Sequence, residues 1–357
     1  MKNIEISNTV ISIGNEAFYE CTELKNITFS SNITFVAYNA FFACDQLESI
    51  NVDNGNEKYT SENGVLFNKE KTEIIKYPSA KSDIEEYIIP DTVVTIGRYA
   101  FEGCSNLTSI KIPENVTSIE YRAFERCSSL KNINVPNNIT SIEDGIFREC
   151  TSLQSMEIPE QVTSIGAYAF EGCNNLKSIK IPEGVTSIGI QSFSSCSSLT
   201  GIEIPEGVTT IEDFAFAWCS SLISVKIPEN IDSIGEGAFY DCISLESIDI
   251  PKSVTSIGTN AIPETTIIYT NKNTEGHRYA EESQQGYIVL IYEQGDINQN
   301  GKIDVTDLLM LKRHMVAGNK TEWILTGQAL LLADMNENGS IDVTDLLMLK
   351  RIVVENI

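Results

Sequence analysis

One spacing constrains this chain more than anything else in it: 23 residues. Its nine cysteines are Cys21, Cys44, Cys104, Cys127, Cys150, Cys173, Cys196, Cys219 and Cys242, each 23 residues after the last except for one gap of 60 between Cys44 and Cys104. Pro90, Pro113, Pro136, Pro159, Pro182, Pro205, Pro228 and Pro251 keep the same step. A Phe stands three residues before every cysteine, from Phe18 to Phe239. A fixed period of this length means stacked structural repeats, because one such coil cannot bury its own apolar face.

One unit runs Leu107-x-x-Ile110-x-Ile112-Pro113-x-x-Val116-x-x-Ile119-x-x-x-Ala123-Phe124-x-x-Cys127. The first part alternates at period two, so its apolar side chains line one face of a strand. Pro113 has no N–H for a ladder and ends that strand. Val116 and Ile119 then re-enter the core on the next side of the coil. Ala123 and Phe124 pack a short turn, and Cys127 closes it. Successive coils stack at the strand spacing of ~4.8 Å.

Charge excludes several functions. With 25 Lys plus Arg against 50 Asp plus Glu, the formal net charge is −25. A nucleic-acid partner needs clustered bases, and an anionic membrane surface needs the same. No apolar run reaches the ~18 residues that would span a bilayer. The first residues, Met1-Lys2-Asn3-Ile4, carry no apolar signal region.

The 23-residue pattern resembles leucine-rich repeats of the treponemal, BspA-like class of bacterial surface proteins, over residues 1–292. The resemblance implies a non-catalytic adhesin-like rod of mostly β rungs. The interruption near residues 51–89 resembles an insertion of that family. Val65-Leu66-Phe67, a polar turn at 68–72 and Glu73-Ile74-Ile75-Lys76 predict a β-hairpin there. Residues 263–292 resemble the family's C-terminal cap, with a short helix around Tyr279-Ala280-Glu281; an open last rung needs such cover. The chain opens inside a strand, Ile4-Glu5-Ile6, so upstream sequence is expected.

The cysteine column admits a redox or metal ladder, or a file of buried thiols. The second reading is preferred. Free Cys packs as a small apolar residue. In-register side chains run parallel, which does not suit a disulfide's dihedral. There is no Cys-x-x-Cys, and no His in residues 1–265, to bind a soft metal.

Residues 296–357 abandon the period. Two segments place oxygen side chains at the first, third, fifth, ninth and twelfth positions, with Gly at the sixth: Asp296, Asn298, Asn300, Asp304 and Asp307, then Asp334, Asn336, Asn338, Asp342 and Asp345. Lys302 and Ser340, at the seventh positions, offer backbone carbonyls. This spacing is that of a Ca²⁺ loop: a hard cation takes six to eight oxygens, and a tight loop points alternate side chains inward. Two calcium ions are expected, one per loop. Each loop leads into one helix, and the string DVTDLLMLKR occurs at both 304–313 and 342–351.

Loop plus single helix, duplicated, resembles the type I dockerin of cellulosomes, here assigned residues 293–357. The resemblance implies a cohesin partner on a scaffoldin. Carried onto this chain, the contact residues are Val305, Thr306, Leu309, Lys312 and Arg313 in one half, and Val343, Thr344, Leu347, Lys350 and Arg351 in the other. Matching halves imply two binding orientations related by a half-turn.

Nothing marks an enzyme: no paired carboxylates in a cleft-forming insertion, no nucleophile elbow, no phosphate-binding loop, no zinc-protease motif. Most acids are expected on rung surfaces. Lys111, Asn134, Glu157, Lys180, Glu203, Lys226 and Asp249 form an outward row whose signs alternate, so neighbours should attract. Glu160, Glu183, Glu206 and Glu229 form a carboxylate row, and Thr-Ser pairs such as Thr163-Ser164 a hydroxyl ladder. The expected fold is thus an α/β repeat solenoid, mostly β, followed by a small all-α calcium-binding domain. The expected role is secreted or cell-surface binding in an anaerobic bacterium, with an unknown protein or polysaccharide as the solenoid's ligand. A structural spacer, or the C-terminal part of a larger enzyme, are the alternatives.

Overall fold

The computed structural model describes residues 2–81, 86–271, 274–283, 289–291, 295–297, 303, 305–315, 333–335 and 341–355. It divides into two compact units: Met1–Ile248 with Ser253–Thr266, and Asp249–Lys252 with Ile267–Ile357.

The first unit is a mostly-β solenoid. In most coils the alternating segment forms a short strand that pairs in parallel with a strand 23 residues away; the coils at 157 and 180 are joined there by a single parallel bridge. Ser109–Lys111, for example, sets Ser109 against Asn132 and Ile110 against Ile133. A second parallel ladder, of two-residue strands, follows each proline turn: Thr95 faces Ser118 and Ile96 faces Ile119. Leu107, Ile110, Ile112, Val116, Ile119, Ala123, Phe124 and Cys127 are all buried. From Phe101 to Phe239 the phenylalanines form a continuous column. Phe170 lies 5.1 Å from Phe193, with planes 8° apart, and Phe193 lies 5.5 Å from Phe216.

The cysteines are more than filler. Each buried thiol except that of Cys104 donates to the carbonyl of the phenylalanine one coil back: Cys127 to Phe101 at 3.1 Å, Cys150 to Phe124 at 3.2 Å, and Cys242 to Phe216 at 3.1 Å. All nine are free. Burial pushes the Cys44 thiol up to about 12. Cys21 departs from the expectation of uniform burial, because it is only half-buried; it sits in the first coil beside the partly buried Ile4, Ile6 and Phe18.

Every turn but that of Cys44, which has only Ala43, also holds two left-handed residues, one and five positions before the cysteine. Around Cys127 these are Arg126 (φ +61°) and Arg122 (φ +54°); around Cys219 they are Trp218 (+59°) and Phe214 (+54°). Such a backbone costs non-glycine residues ~1–2 kcal/mol each. Bonds between coils hold it in place, since Arg122 N donates to Asp144 O at 3.0 Å and Arg126 N to Arg148 O at 2.7 Å.

The interruption is a three-stranded antiparallel meander of Tyr59–Glu62, Val65–Asn68 and Glu73–Lys76. Its last strand pairs in parallel with Thr95–Ile96, so it takes the place of a second-ladder strand. Here a charge is buried, contrary to the expectation that acids coat the surface. Lys76, 2% exposed, donates to the carbonyls of Glu102 (2.9 Å) and Tyr99 (3.2 Å) and pairs with the buried Glu102 carboxylate at 3.4 Å. Glu102 also meets Arg126 at 3.0 Å. The hydroxyl ladder differs from expectation as well: Thr163 Oγ1 donates to the Thr140 carbonyl at 3.3 Å rather than to a hydroxyl.

In the second unit, Ile267–Thr270 pairs in parallel with Val289–Ile291. Between them lies α1, Glu275–Glu282, capped by Thr274, whose hydroxyl accepts from His277 N. Later in the described residues come α2 (Val305–Met315) and α3 (Val343–Glu355).

Thiol accessibility tests this packing. In the native chain one thiol, Cys21, should react rapidly with a small disulfide reagent, and the other eight only after denaturation. Rapid native labelling of several cysteines, counted by mass spectrometry, would contradict it.

Candidate functional site

The tail is built twice from one plan. Its core contains Ile297, Leu311, Ala333, Met335 and Leu349, with Ile303 and Ile341 packed against it. Ile297 and Met335 are the second residues of the two loops, Ile303 and Ile341 the eighth, and Leu311 and Leu349 lie at equal distances along the helices that follow. Gly295, at φ +98°, lies against this core, where a Cβ would stand 2.9 Å from Leu349 Cδ1.

Of the twelve expected calcium ligands, Asn298, Asn300, Lys302, Asp304, Asn336, Asn338 and Ser340 lie outside the described residues. The remaining five are Asp296, Asp307, Asp334, Asp342 and Asp345. Asp307 and Asp345, the twelfth positions, are 0% exposed, and Asp296 is 2% exposed. Buried carboxylates need a compensating charge or hydrogen bonds. No cluster of three or more His, Cys, Asp or Glu suited to a metal occurs among the described residues. The donor types nonetheless fit a hard cation: carboxylates buried at a loop's first and twelfth positions, with no thiol or imidazole in either loop.

The second loop runs directly into its helix. Asp345 Oδ2 accepts from Asp342 N at 2.7 Å, and Asp342 Oδ1 accepts from Thr344 N at 2.7 Å. The Asp342 side chain thus caps the second amide of α3 while the Asp345 side chain reaches back to the cap amide, half of a capping box. The Thr344 hydroxyl also donates to Asp342 Oδ1, and together with the amide it holds the Asp342 carboxyl below its ordinary range. The ninth and twelfth loop positions therefore also cap the helix. The spacing Asp-x-x-Asp before an apolar run was the sequence signal for this.

The residues carried over as partner contacts lie along α2 and α3. Val305, Thr306, Leu309, Lys312 and Arg313 are exposed, as are Val343, Thr344, Leu347, Lys350 and Arg351. Four of them are large and apolar, with 46–59% of their surface open: Val305, Leu309, Val343 and Leu347. Each helix thus has one seam in the tail core and an outer stripe that is apolar first and basic after.

On the solenoid's sheet face Glu203 lies in register with Lys226, and Glu157 opposite Lys180. The ion pair that forms is a different one: Lys180 Nζ meets Glu160 of the carboxylate row at 3.1 Å, with both side chains mostly exposed. Such pairs contribute ~0–1 kcal/mol. Gly201 leaves a groove of about 460 Å³ between Lys180, Glu203, Glu206 and Lys226. No described helix is long and apolar enough to cross a membrane.

The profile of the BspA type leucine rich repeat region matches six copies, over residues 1–87, 72–196 and 142–268. The Dockerin type I domain profile matches residues 294–354. A leucine-rich repeat protein from Eubacterium ventriosum is similar in structure at 30% identity and a TM-score of 0.54, covering 74% of this chain and 64% of that one. The chain thus spans under two thirds of that relative's length. The Treponema pallidum leucine rich repeat protein is 28% identical, with 45% of this chain and 78% of that one covered and a TM-score of 0.43. A leucine-rich repeat protein from Bacteroides ovatus is 22% identical, with 82% and 92% covered and a TM-score of 0.47. The search of curated proteins finds no match. Both matched families are non-catalytic binding modules, and no catalytic domain is detected. Type I dockerins bind calcium and serve cohesin-dependent assembly, and both modules are typical of extracellular or cell-surface bacterial proteins. By sequence profile and by coil geometry alike, the chain belongs to the BspA-type leucine-rich repeat family and carries a type I dockerin domain at its C-terminal end.

Proposed function

We propose that the chain is a non-catalytic recognition component of a secreted, scaffold-assembled complex of the cellulosome type. Residues 293–357 dock onto a cohesin. Residues 1–292, comprising the solenoid and its cap at 263–292, recognise a protein or glycan. The observation that carries this reading is the duplicated outer stripe, Val305/Leu309 with Lys312/Arg313 on α2 and Val343/Leu347 with Lys350/Arg351 on α3. Exposed apolar side chains beside bases, on helices whose other seam is buried, are what a partner can cover.

Two calcium ions, one held from Asp296 to Asp307 and one from Asp334 to Asp345, would supply the positive charge that the buried acids require. Metal binding and folding of the tail are then one equilibrium. Hydrogen exchange on the full chain tests this: EDTA should raise exchange in α2 and α3 and leave the amides of residues 86–248 unchanged. Unchanged exchange in both helices would refute it.

Either stripe suffices for docking, because the halves match. Val305→Asp with Leu309→Asp should weaken cohesin binding only about twofold, the loss of one of two orientations. Adding Val343→Asp and Leu347→Asp should cost ~100-fold or more. Calorimetry against a type I cohesin would measure both, and full loss from the first pair alone would exclude two equivalent orientations.

A further inference from the structure

The turn face of the solenoid solves the same problem repeatedly in its middle coils. There an arginine is seated between a tyrosine ring and carboxylates. Arg122 lies over the Tyr121 ring, 5.0 Å from its centroid, and meets Glu125 at 3.2 Å. Arg148 lies 5.9 Å from the Tyr168 centroid and bridges Glu125 at 3.1 Å and Glu171 at 2.5 Å. The ring supplies a negative face and the acids supply charge, so the guanidinium is held from both sides.

In the coils of Cys219 and Cys242 the turn carries rings without the cation; the position of Glu125 and Glu171 holds Ala217 and Tyr240, and the acids stand at neighbouring positions instead. Phe214, five residues before Cys219, stands where Arg122 and Tyr168 stand in their coils, and Tyr240, two before Cys242, where Glu125 and Arg148 stand. Phe214 and Trp218 stack at 6.1 Å with planes 8° apart. Trp218 meets Tyr240 edge-on at 5.6 Å. Trp218 is 39% and Tyr240 43% exposed. The platform is fixed from below. A Cβ on Gly237 would fall 2.4 Å from the Phe214 ring, so the ring rests on the glycine backbone of the next coil.

Glu212, Asp213, Glu236 and Asp241 flank these rings in sequence, and Asp213 Oδ1 accepts from Glu236 N at 2.7 Å. Between Lys180 and Lys252 the only base is Lys226, which lies in a strand of the sheet, Ser224–Lys226. None of the four acids forms an ion pair among the described residues. Rings and carboxylates together, on a chain of net charge −25, repel polyanions and match a cation.

We propose that this platform docks a basic side chain of a partner protein, an incoming arginine laid against the exposed rings as Arg122 lies over Tyr121 and Arg148 over Tyr168. The site deepens the reading of the solenoid as a recognition rod and names one partner chemistry for it. Anisotropy of a labelled (Gly-Arg)₅ peptide on the full calcium-loaded chain tests it, with a citrulline-for-arginine peptide as the neutral control. Trp218→Ala and Tyr240→Ala should each weaken binding about tenfold, and the citrulline peptide should lose binding altogether. Both variants keep the net charge, so diffuse attraction to an acidic protein predicts no change. Undiminished binding by both variants would overturn the proposal. So would equal binding of the citrulline peptide, or Trp218-dependent binding of cellohexaose without peptide binding, which would give the platform to a neutral glycan. Cohesin binding is measured on the same samples. Its retention beside a failed peptide result removes this site alone and leaves the docking role of the tail standing.

Discussion

The solenoid depends on a carbonyl used twice. Phe124 O accepts from Cys127 N of its own coil at 3.2 Å and from the thiol of Cys150 in the next at 3.2 Å. The first bond closes the local turn and the second ties coil to coil. A residue that serves at that corner must be small, tolerate complete burial and still donate a hydrogen bond. Alanine lacks the donor, and serine brings a more polar group into a dry column. The same phenylalanine stacks its ring on those above and below, so one residue pair sets the turn, the register and the core together.

This explains why so much of the fold was legible. A period that must be kept for hydrogen bonding is kept in sequence, and the alternating Leu-x-x-Ile-x-Ile segments sit where their pattern puts them. The second ladder was not legible, since a two-residue strand such as Ser118–Ile119 has no periodicity to read. The left-handed turn residues were hidden for another reason. Glycine is the usual marker of that backbone, yet Glu20, Arg126, Ser195 and Trp218 occupy it here, because bonds to the neighbouring coil offset the strain. Glu102 and Glu125 look like surface acids by composition, and only the arginines 23 or 24 residues away show why they are buried.

In the tail, the duplication itself was the signal. Two copies of one string declare two copies of one structure, and the symmetric core of Ile297, Met335, Leu311 and Leu349 follows from it. Less visible was that single residues serve two ends. Asp342 and Asp345 close a loop rich in oxygen donors and also start a helix. Whatever orders the loop therefore orders the helix that bears Val343 and Leu347. The outer stripe is thus joined to the loop through two side chains rather than through a long path.

The inserted meander has its own consequence. A stack in which each coil touches only its neighbours is cooperative only as far as its weakest interface. At the coil of Cys104 the thiol reaches back to Tyr77 O across 3.8 Å, and the ammonium of Lys76 does part of the closing. The coils on either side of the insertion are thus tied in part by a buried ammonium, and loss of the Glu102 carboxylate would leave the Lys76 charge in a dry column without its counter-charge.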